Sequence, residues 1–311
     1  MRIFVAGSTG MVGRNICENK FAQNHQILSP NKSQLDLTDR TKLRIWLFNN
    51  QPDLIINAAG LVGGIHANIA NPSKFLIRNL DIGVNLVSEA AHAGIKNFIN
   101  LGSSCMYPRD APNPLNENSL LTGRLEPTNE GYALAKIAIQ RLCTYYSEQD
   151  QSFKYITLMP CNLYGKYDHF EPSRSHLIAS IIVKLHNAKI NNQKSVLIWG
   201  DGTVKREFMY VEDLANAIWS VLPKLNELPK LINVGPGYDR DIFSYYKEAA
   251  KVVGYEGEFK FDLSRPVGMR QKLLDVKTIH ELGWSPLFQL KKGLQLTYDY
   301  YLGLLKKSPS F

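Results

Sequence analysis

The chain has 311 residues, 44% of them hydrophobic and 21% charged, with a formal charge of +8. That balance is ordinary for a folded globular chain and excludes a disordered or collagen-like one. No apolar run approaches the roughly 18 residues that span a bilayer, and the basic residues are scattered rather than blocked, which points to anionic small molecules as partners and away from nucleic acid or membrane.

Arg2–Ala6 is an apolar run that predicts a strand, and the chain enters it with no cleavable signal in view. A helix is expected over Gly13–Ala22, a strand over Gln26–Leu28, a helix over Arg40–Asn49 and a strand over Leu54–Asn57. The alternation continues with a helix over Lys74–Ala93, a strand over Asn97–Leu101, a helix over Gly131–Glu148 and a strand over Tyr155–Met159. Such a pattern predicts an α/β fold of the Rossmann type, a doubly wound parallel sheet that binds ligands at the C-terminal ends of its strands. After Asn162 the pattern turns irregular, with short strands such as Val196–Trp199 and a helical run over Leu177–His186. The four cysteines, Cys17, Cys105, Cys143 and Cys161, form no CxxC pair and no metal spacing, which fits a reducing cytoplasm and no metal site.

Gly7-Ser8-Thr9-Gly10-Met11-Val12-Gly13 follows the first strand and opens a helix. Glycines at this spacing let the backbone turn tightly and approach a pyrophosphate at a helix N-terminus. The expected division is therefore a dinucleotide-binding domain over residues 1–163, with segments near 205–235 returning to it. A smaller C-terminal substrate-binding lobe is expected over 164–204 and 236–311. NAD binders place an acid near the end of the second strand to hold the ribose 2′-hydroxyl. Here Leu28-Ser29-Pro30-Asn31-Lys32 has no acid and carries a cation, which favours NADP over NAD, with Asn31 and Lys32 toward the 2′-phosphate. Asp36 comes too late for the ribose and is expected near the adenine. Ala58 and Ala59, after the third strand, are small enough to leave room for the cofactor.

Two stretches carry the chemistry. Gly102-Ser103-Ser104-Cys105-Met106-Tyr107-Pro108 sets hydroxyls and a thiol at a strand's C-terminal end. Tyr132-Ala133-Leu134-Ala135-Lys136 sets a phenol and an ammonium four apart on one helix face. A cation beside a tyrosine is expected to lower its pKa and make it a usable proton donor.

These motifs resemble those of the extended short-chain dehydrogenase/reductases and, within them, the GDP-L-fucose synthase family. The resemblance covers nearly the whole chain. It also rests on Val62-Gly63-Gly64-Ile65, Leu125-Glu126-Pro127-Thr128-Asn129-Glu130, Asn162-Leu163-Tyr164-Gly165, Ser173-x-Ser175-His176, Arg206-Glu207-Phe208 and Lys272-Leu273-Leu274-Asp275. It implies a reductase triad of Ser103, Tyr132 and Lys136 that reduces the C4 ketone of a GDP-4-keto-6-deoxy-mannose with NADPH. It further implies inversion at C3 and C5, with Cys105 as base and His176 as acid. Leu101, Gly102, Lys136, Pro160, Asn162, Leu163 and His176 would meet the cofactor. Ser104, Asn162, Lys184, Trp199 and Arg206 would meet the substrate, and two subunits would pair as a homodimer through the Lys74–Ala93 and Gly131–Glu148 helices. Where the bacterial family often carries His-Arg in its first glycine loop, this chain has Ser8-Thr9, so NADP preference rests on Lys32 and its neighbours. A reductase of another GDP-4-keto sugar such as a capsule heptose, with or without epimerase activity, and a non-catalytic nucleotide sensor are the alternatives.

Overall fold

Parallel strands buried on both faces read as continuous apolar runs, and four such runs organise the first half of the chain. The computed structural model describes residues 1–171, 175–264 and 269–307. Strand β1 (Arg2–Ala6) leads to α1 (Met11–Glu18), β2 (Gln26–Leu28), α2 (Arg40–Asn50) and β3 (Leu54–Asn57). Helices α3 (Ile65–Ala70) and α4 (Pro72–His92) precede β4 (Asn97–Leu101), and α5 (Glu130–Gln149) precedes β5 (Lys154–Pro160). Then come β6 (Asn162–Tyr164), α6 (Leu177–Ile190), β7 (Ser195–Trp199), β8 (Lys205–Arg206), β9 (Phe208–Tyr210) and α7 (Val211–Val221). The chain closes with β10 (Leu231–Val234), β11 (Arg240–Asp241), α8 (Ile242–Val253), β12 (Glu258–Asp262), α9 (Lys277–Glu281) and α10 (Leu290–Lys307).

The six-stranded sheet runs β2-β1-β3-β4-β5-β10, all parallel. The strand order reverses between β1 and β3, so the loops after these two strands part there and leave a crevice at their C-terminal ends. Against one face lie α2, α4 and α5, with Leu43, Leu47, Leu86 and Ile139 on Phe4, Ile55 and Phe98. Against the other lie α1, α7 and α9, with Ile16, Leu214, Ile218 and Ile279 on Ile3, Ile56 and Ile99. A separate core joins α6, β7, α8 and α10 through Ile181, Leu185, Ile198, Tyr245, Ala249 and Leu294. Its small sheets, β6 with β9 and β7 with β12, stand apart from the main one.

Two elements differ from their sequence expectations. The first helix starts at Met11 and stops at Glu18, two residues earlier and four residues earlier than the pattern suggests, because Asn19 is extended and its side chain instead accepts the Phe21 amide of a 3₁₀ turn, Lys20–Asn24. The region after Asn162 is more regular than it reads. Helices α6, α7, α8 and α10 bury apolar stripes against two cores, and tertiary packing supplies what weak local pattern does not.

A polar rung crosses the sheet interior. Asn57, Asn100 and Thr157 are register partners on β3, β4 and β5. Asn57 Nδ2 donates to Asn100 Oδ1 at 3.0 Å, and Asn100 Nδ2 donates to Thr157 Oγ1 at 3.2 Å. A one-residue slip would leave these buried amides unpaired, which fixes where each strand ends.

Glu89 of α4 is wholly buried at its side chain and bridges to α2. It accepts from Arg44 Nε and from Arg40 Nε, both at 2.6 Å. The hydrogen bond from Arg44, then that from Arg40, outweighs burial and lowers its pKa to about 2. A depressed carboxyl contributes stability that is present above its ordinary value of 4.5 and is lost as pH falls towards about 2. Glu89→Gln is therefore expected to lower the urea midpoint at pH 7 and to flatten its decline between pH 5 and 3; an unchanged acid limb would contradict this.

Candidate active site

The glycine loop is shaped by close approach. Gly7 has φ +80°, and a Cβ there would lie 2.7 Å from the Ala59 backbone; a Cβ on Gly13 would lie 2.2 Å from Gly7 O. Gly10 stands at the N-cap of α1 with no side-chain cap, so the amides of Met11 and Val12 in the first turn are available to an anionic group. Ser8 Oγ donates to Ser29 O at 3.2 Å, tying the loop to the segment after β2. Thr9 O accepts from Arg14 Nε at 3.1 Å. Ala58 and Ala59 follow β3 across the crevice. Asn31 and Lys32 are exposed on the same rim, where Asn31 Oδ1 accepts from Ser33 and Gln34 and shapes a turn. Asp36 accepts from the Thr38 amide and hydroxyl and lies 3.6 Å from Arg78, contacts that hold its carboxyl below the usual range.

At the end of β4, Gly102 donates to Leu158 O at 2.8 Å, and a Cβ on it would crowd Met159, Met106 and Thr157. That close packing sets Ser103 at the strand's edge. Lys136 of α5 is 5% exposed, and its Nζ donates to Leu101 O at 2.8 Å. Burial pushes its pKa down to about 8. Tyr132, one turn earlier, has its ring centre 5.9 Å from Lys136 Nζ and shares a hydrogen bond with Ser103. Its phenol is raised, not lowered as the Tyr-x3-Lys spacing suggested. Burial dominates, a Cys105 charge would add to it, and the Ser103 hydrogen bond only partly opposes. Lys136 gives one of its three donors to Leu101 O, and the raised phenol of Tyr132 suits a proton donor.

Cys105 sits two residues beyond Ser103, and its sulfur is met by two donors. Asn129 Nδ2 lies at 3.1 Å and Lys272 Nζ at 3.6 Å. Ser104, between them, is buried. Arg206 of β8 is close enough to feel a charge on Cys105. Its Nη1 donates to Met269 O at 2.6 Å, and burial lowers its pKa.

His176 is the N-cap of α6, where the Gly64 backbone approaches Ser175. Burial, with His169 nearby, lowers its pKa and favours neutral imidazole. Ser173 of the same motif lies outside the described residues. Pro160 ends β5, and Asn162 and Leu163 open β6; Asn162 Nδ2 donates to Glu207 O at 2.9 Å. Lys184 and Trp199 form a second group. Lys184 Nζ donates to Leu197 O at 2.8 Å and lies 5.9 Å from the Trp199 ring centre, and burial lowers its pKa. Trp199 is 46% exposed and meets the His66 ring edge-on at 5.3 Å.

The structure thus joins Ser103, Cys105, Tyr132 and Lys136 directly, with Arg206 beside them. His176 heads α6, and Lys184 with Trp199 lies on the second core. Sequence reading gave no role to Asn129, Lys272, Glu207 or His66. The first three stand inside quoted motifs, but Lys272 is 167 residues from the sulfur it touches, and no local pattern carries that contact.

The family model described as the NAD dependent epimerase/dehydratase family matches residues 3–235. Among curated relatives, the GDP-L-colitose synthase of Yersinia pseudotuberculosis is 47% identical, over 97% of this chain and 98% of its own. The GDP-L-fucose synthase of Azorhizobium caulinodans is 43% identical, over 97% of this chain and 96% of its own. Among solved structures, MlghC, a GDP-mannoheptose C4 reductase from Campylobacter jejuni with NADP bound, superposes with a TM-score of 0.87 at 30% identity, covering 97% of this chain and 98% of that one.

Because the Gly13 Cα faces the Gly7 carbonyl, Gly13→Ala is expected to destabilise the fold by about 1–3 kcal/mol through overpacking and to weaken NADPH binding. Urea unfolding and cofactor fluorescence titration check both, and wild-type values in both would contradict the close approach.

Proposed function

The chain belongs to the NAD dependent epimerase/dehydratase family, and on that premise we propose that it is an NADPH-dependent epimerase/reductase producing GDP-L-fucose from GDP-4-keto-6-deoxy-D-mannose. One observation carries the reading: a tyrosine whose phenol is raised by burial, a serine and a cysteine converge at the end of β4 above a buried lysine. A reductase alone needs the first two and the lysine; the thiol adds a base.

The glycine loop and Ala58–Ala59 would hold the dinucleotide, with Asn31 and Lys32 toward its 2′-phosphate. The nicotinamide supplies the hydride that reduces C4. The chain's own residues do the rest. Ser103 holds the C4 oxygen by hydrogen bond, and Tyr132 gives its phenolic proton to that oxygen as negative charge develops. Lys136, under the tyrosine, then favours the phenolate left behind. Before reduction, the C4 ketone acidifies the hydrogens on C3 and C5. Cys105 as thiolate takes such a proton, forming S–H while the electron pair moves to the C4 oxygen. His176 acts as the imidazolium, the minor form given its lowered pKa, and returns a proton to the opposite face as the electron pair goes back to carbon, which inverts the centre and leaves neutral imidazole. Arg206 and Lys184 suit the GDP pyrophosphate, and the exposed Trp199 ring offers a packing face. The substrate would enter between the main sheet and the α6–β7–α8 core; α9, within the lobe expected over 236–311, packs on the main sheet instead.

A second reading, a C4 reductase of a related GDP-4-keto sugar in the colitose or heptose series, is favoured by the 47% identity to a GDP-L-colitose synthase and by the likeness to a GDP-heptose C4 reductase. It keeps Ser103, Tyr132 and Lys136 in the same roles.

No helix among the described residues is long and apolar enough to cross a membrane, and we place the protein in the cytoplasm. Ile77 on α4 with Leu134 and Tyr145 on α5 expose apolar surface along adjacent helices, which suits a homodimer.

The deciding assay supplies NADPH and GDP-4-keto-6-deoxy-mannose in heavy water. GDP-L-fucose deuterated at C3 and C5 supports the first reading; reduction without deuterium, or turnover only of a colitose- or heptose-series ketone, supports the second. Tyr132→Phe is expected to slow NADPH oxidation by roughly 10²–10⁴-fold while deuterium exchange continues, and Cys105→Ser to abolish exchange; exchange that survives Cys105→Ser sinks the thiol's role. Light scattering is expected to give twice the chain mass of 35.1 kDa, and a monomer would contradict the helix pairing.

A further inference from the structure

Glu207 is a buried carboxylate with no part in the chemistry above. It is 0% exposed and lies next to Arg206 in the chain. Each oxygen accepts one backbone amide: Oε1 from Gly237 at 2.8 Å and Oε2 from Leu274 at 2.9 Å. Its own carbonyl accepts from Asn162 Nδ2. The fit is tight, since a Cβ on Gly235 would lie 2.5 Å from Oε1. A carboxylate placed so deep, with no ion pair to it among the described residues, is retained at an energetic disadvantage, and burial raises its pKa to about 7.

What it holds explains its place. Leu274 follows Lys272 by two residues. The same short segment is clamped from its other side, where Leu273 N donates to Asn113 Oδ1 at 2.8 Å and Leu273 O accepts from Leu115 N at 2.7 Å. Asn233 spans the Leu115 and Asp275 carbonyls while accepting from the Tyr107 hydroxyl, two residues beyond Cys105. The two ends of the lysine–sulfur contact are thus fixed to one frame. Lys272, 7% exposed, brings its ammonium to 3.6 Å from Cys105 Sγ. Together with Asn129 Nδ2, it presents two donors to the sulfur, an arrangement suited to a thiolate rather than a thiol.

We propose that Glu207 is a positioning residue for the proton-abstracting half of the site: by gripping the Leu274 amide it holds Lys272 as the counter-ion of the Cys105 thiolate. The proposal rests on the reading of Cys105 as base, but its test needs neither sugar nor cofactor. The charged and titratable neighbours that would remain around the sulfur are Arg206 and Tyr132.

The experiment is the rate of iodoacetamide alkylation of Cys105 in the full chain at pH 7.5, followed by mass spectrometry of its peptide so that Cys17, Cys143 and Cys161 do not interfere. The thiolate is the nucleophile, so Lys272→Met and Glu207→Gln are each expected to slow alkylation by about tenfold, while Lys272→Arg retains most of the rate. A merely structural role predicts the opposite sign, because a loosened fold exposes the thiol and speeds the reaction. Glu207→Asp keeps the charge but does not reach both amides, and gives the same slowing should Glu207→Gln not fold. Unchanged or faster alkylation in the Glu207 variants, with Lys272→Met slowed, overturns the positioning role; unchanged alkylation in Lys272→Met overturns the whole proposal. Failure of GDP-sugar turnover in the wild type would instead count against the proposed function and leave this readout standing.

Discussion

The site depends on one buried donor. Lys136 places an ammonium inside the fold and gives one of its donors to the Leu101 carbonyl at the last position of β4. An unpaired ammonium at that depth would be strongly unfavourable, so the contact fixes the height of α5 against the sheet. Tyr132 rides on the same helix one turn away and is thereby set against Ser103, which follows the same strand end. The helix face and the strand end cannot be adjusted separately. Any shift that moves Tyr132 also strips Lys136 of its partner.

The sheet provides the other half of this constraint. The Asn57–Asn100–Thr157 rung locks three adjacent strands in one register. Their C-terminal ends therefore open side by side, and Ala58, Gly102 and Pro160 leave the sheet along one rim. The glycine loop meets that rim from β1, where Gly7 packs on Ala59 closely enough to forbid a side chain. The crevice is thus a product of backbone contact and polar register, and the residues that line it are small for that reason.

Around Cys105 the logic is different. There the neighbours are polar donors delivered from distant parts of the chain: Asn129 ahead of α5, Lys272 ahead of α9, and Arg206 from β8. Glu207, Asn233 and Tyr107 hydrogen-bond the segments that carry Lys272 and Cys105. Buried side-chain hydrogen bonds replace the ladder bonds that a strand or helix would supply, and each leaves an unpaired polar group if its partner is removed. On the proposed function, the reductive and proton-abstracting roles would fall to two differently built halves of one site.

Much was legible in local pattern. Apolar runs at strand length predicted β1, β3, β4 and β5 almost to the residue, since a strand buried on both faces has little compositional freedom. The glycine spacing after β1, the Tyr-x3-Lys pair and the serine at the end of β4 are short-range arrangements, so local pattern was enough to point to the crevice and to the family. It under-read the region after Asn162, where α7 packs on the main sheet and α6, α8 and α10 build the second core. It also misjudged Tyr132: spacing promised a cation beside the phenol, but only the folded interior decides that burial outweighs it and that Lys136 is turned to a carbonyl. The contact of Lys272 with Cys105, and the grip of Glu207 that holds it, belong wholly to the tertiary structure. They join residues far apart in the chain through side chains whose direction no periodicity specifies, and such contacts exist only once the chain has closed around them.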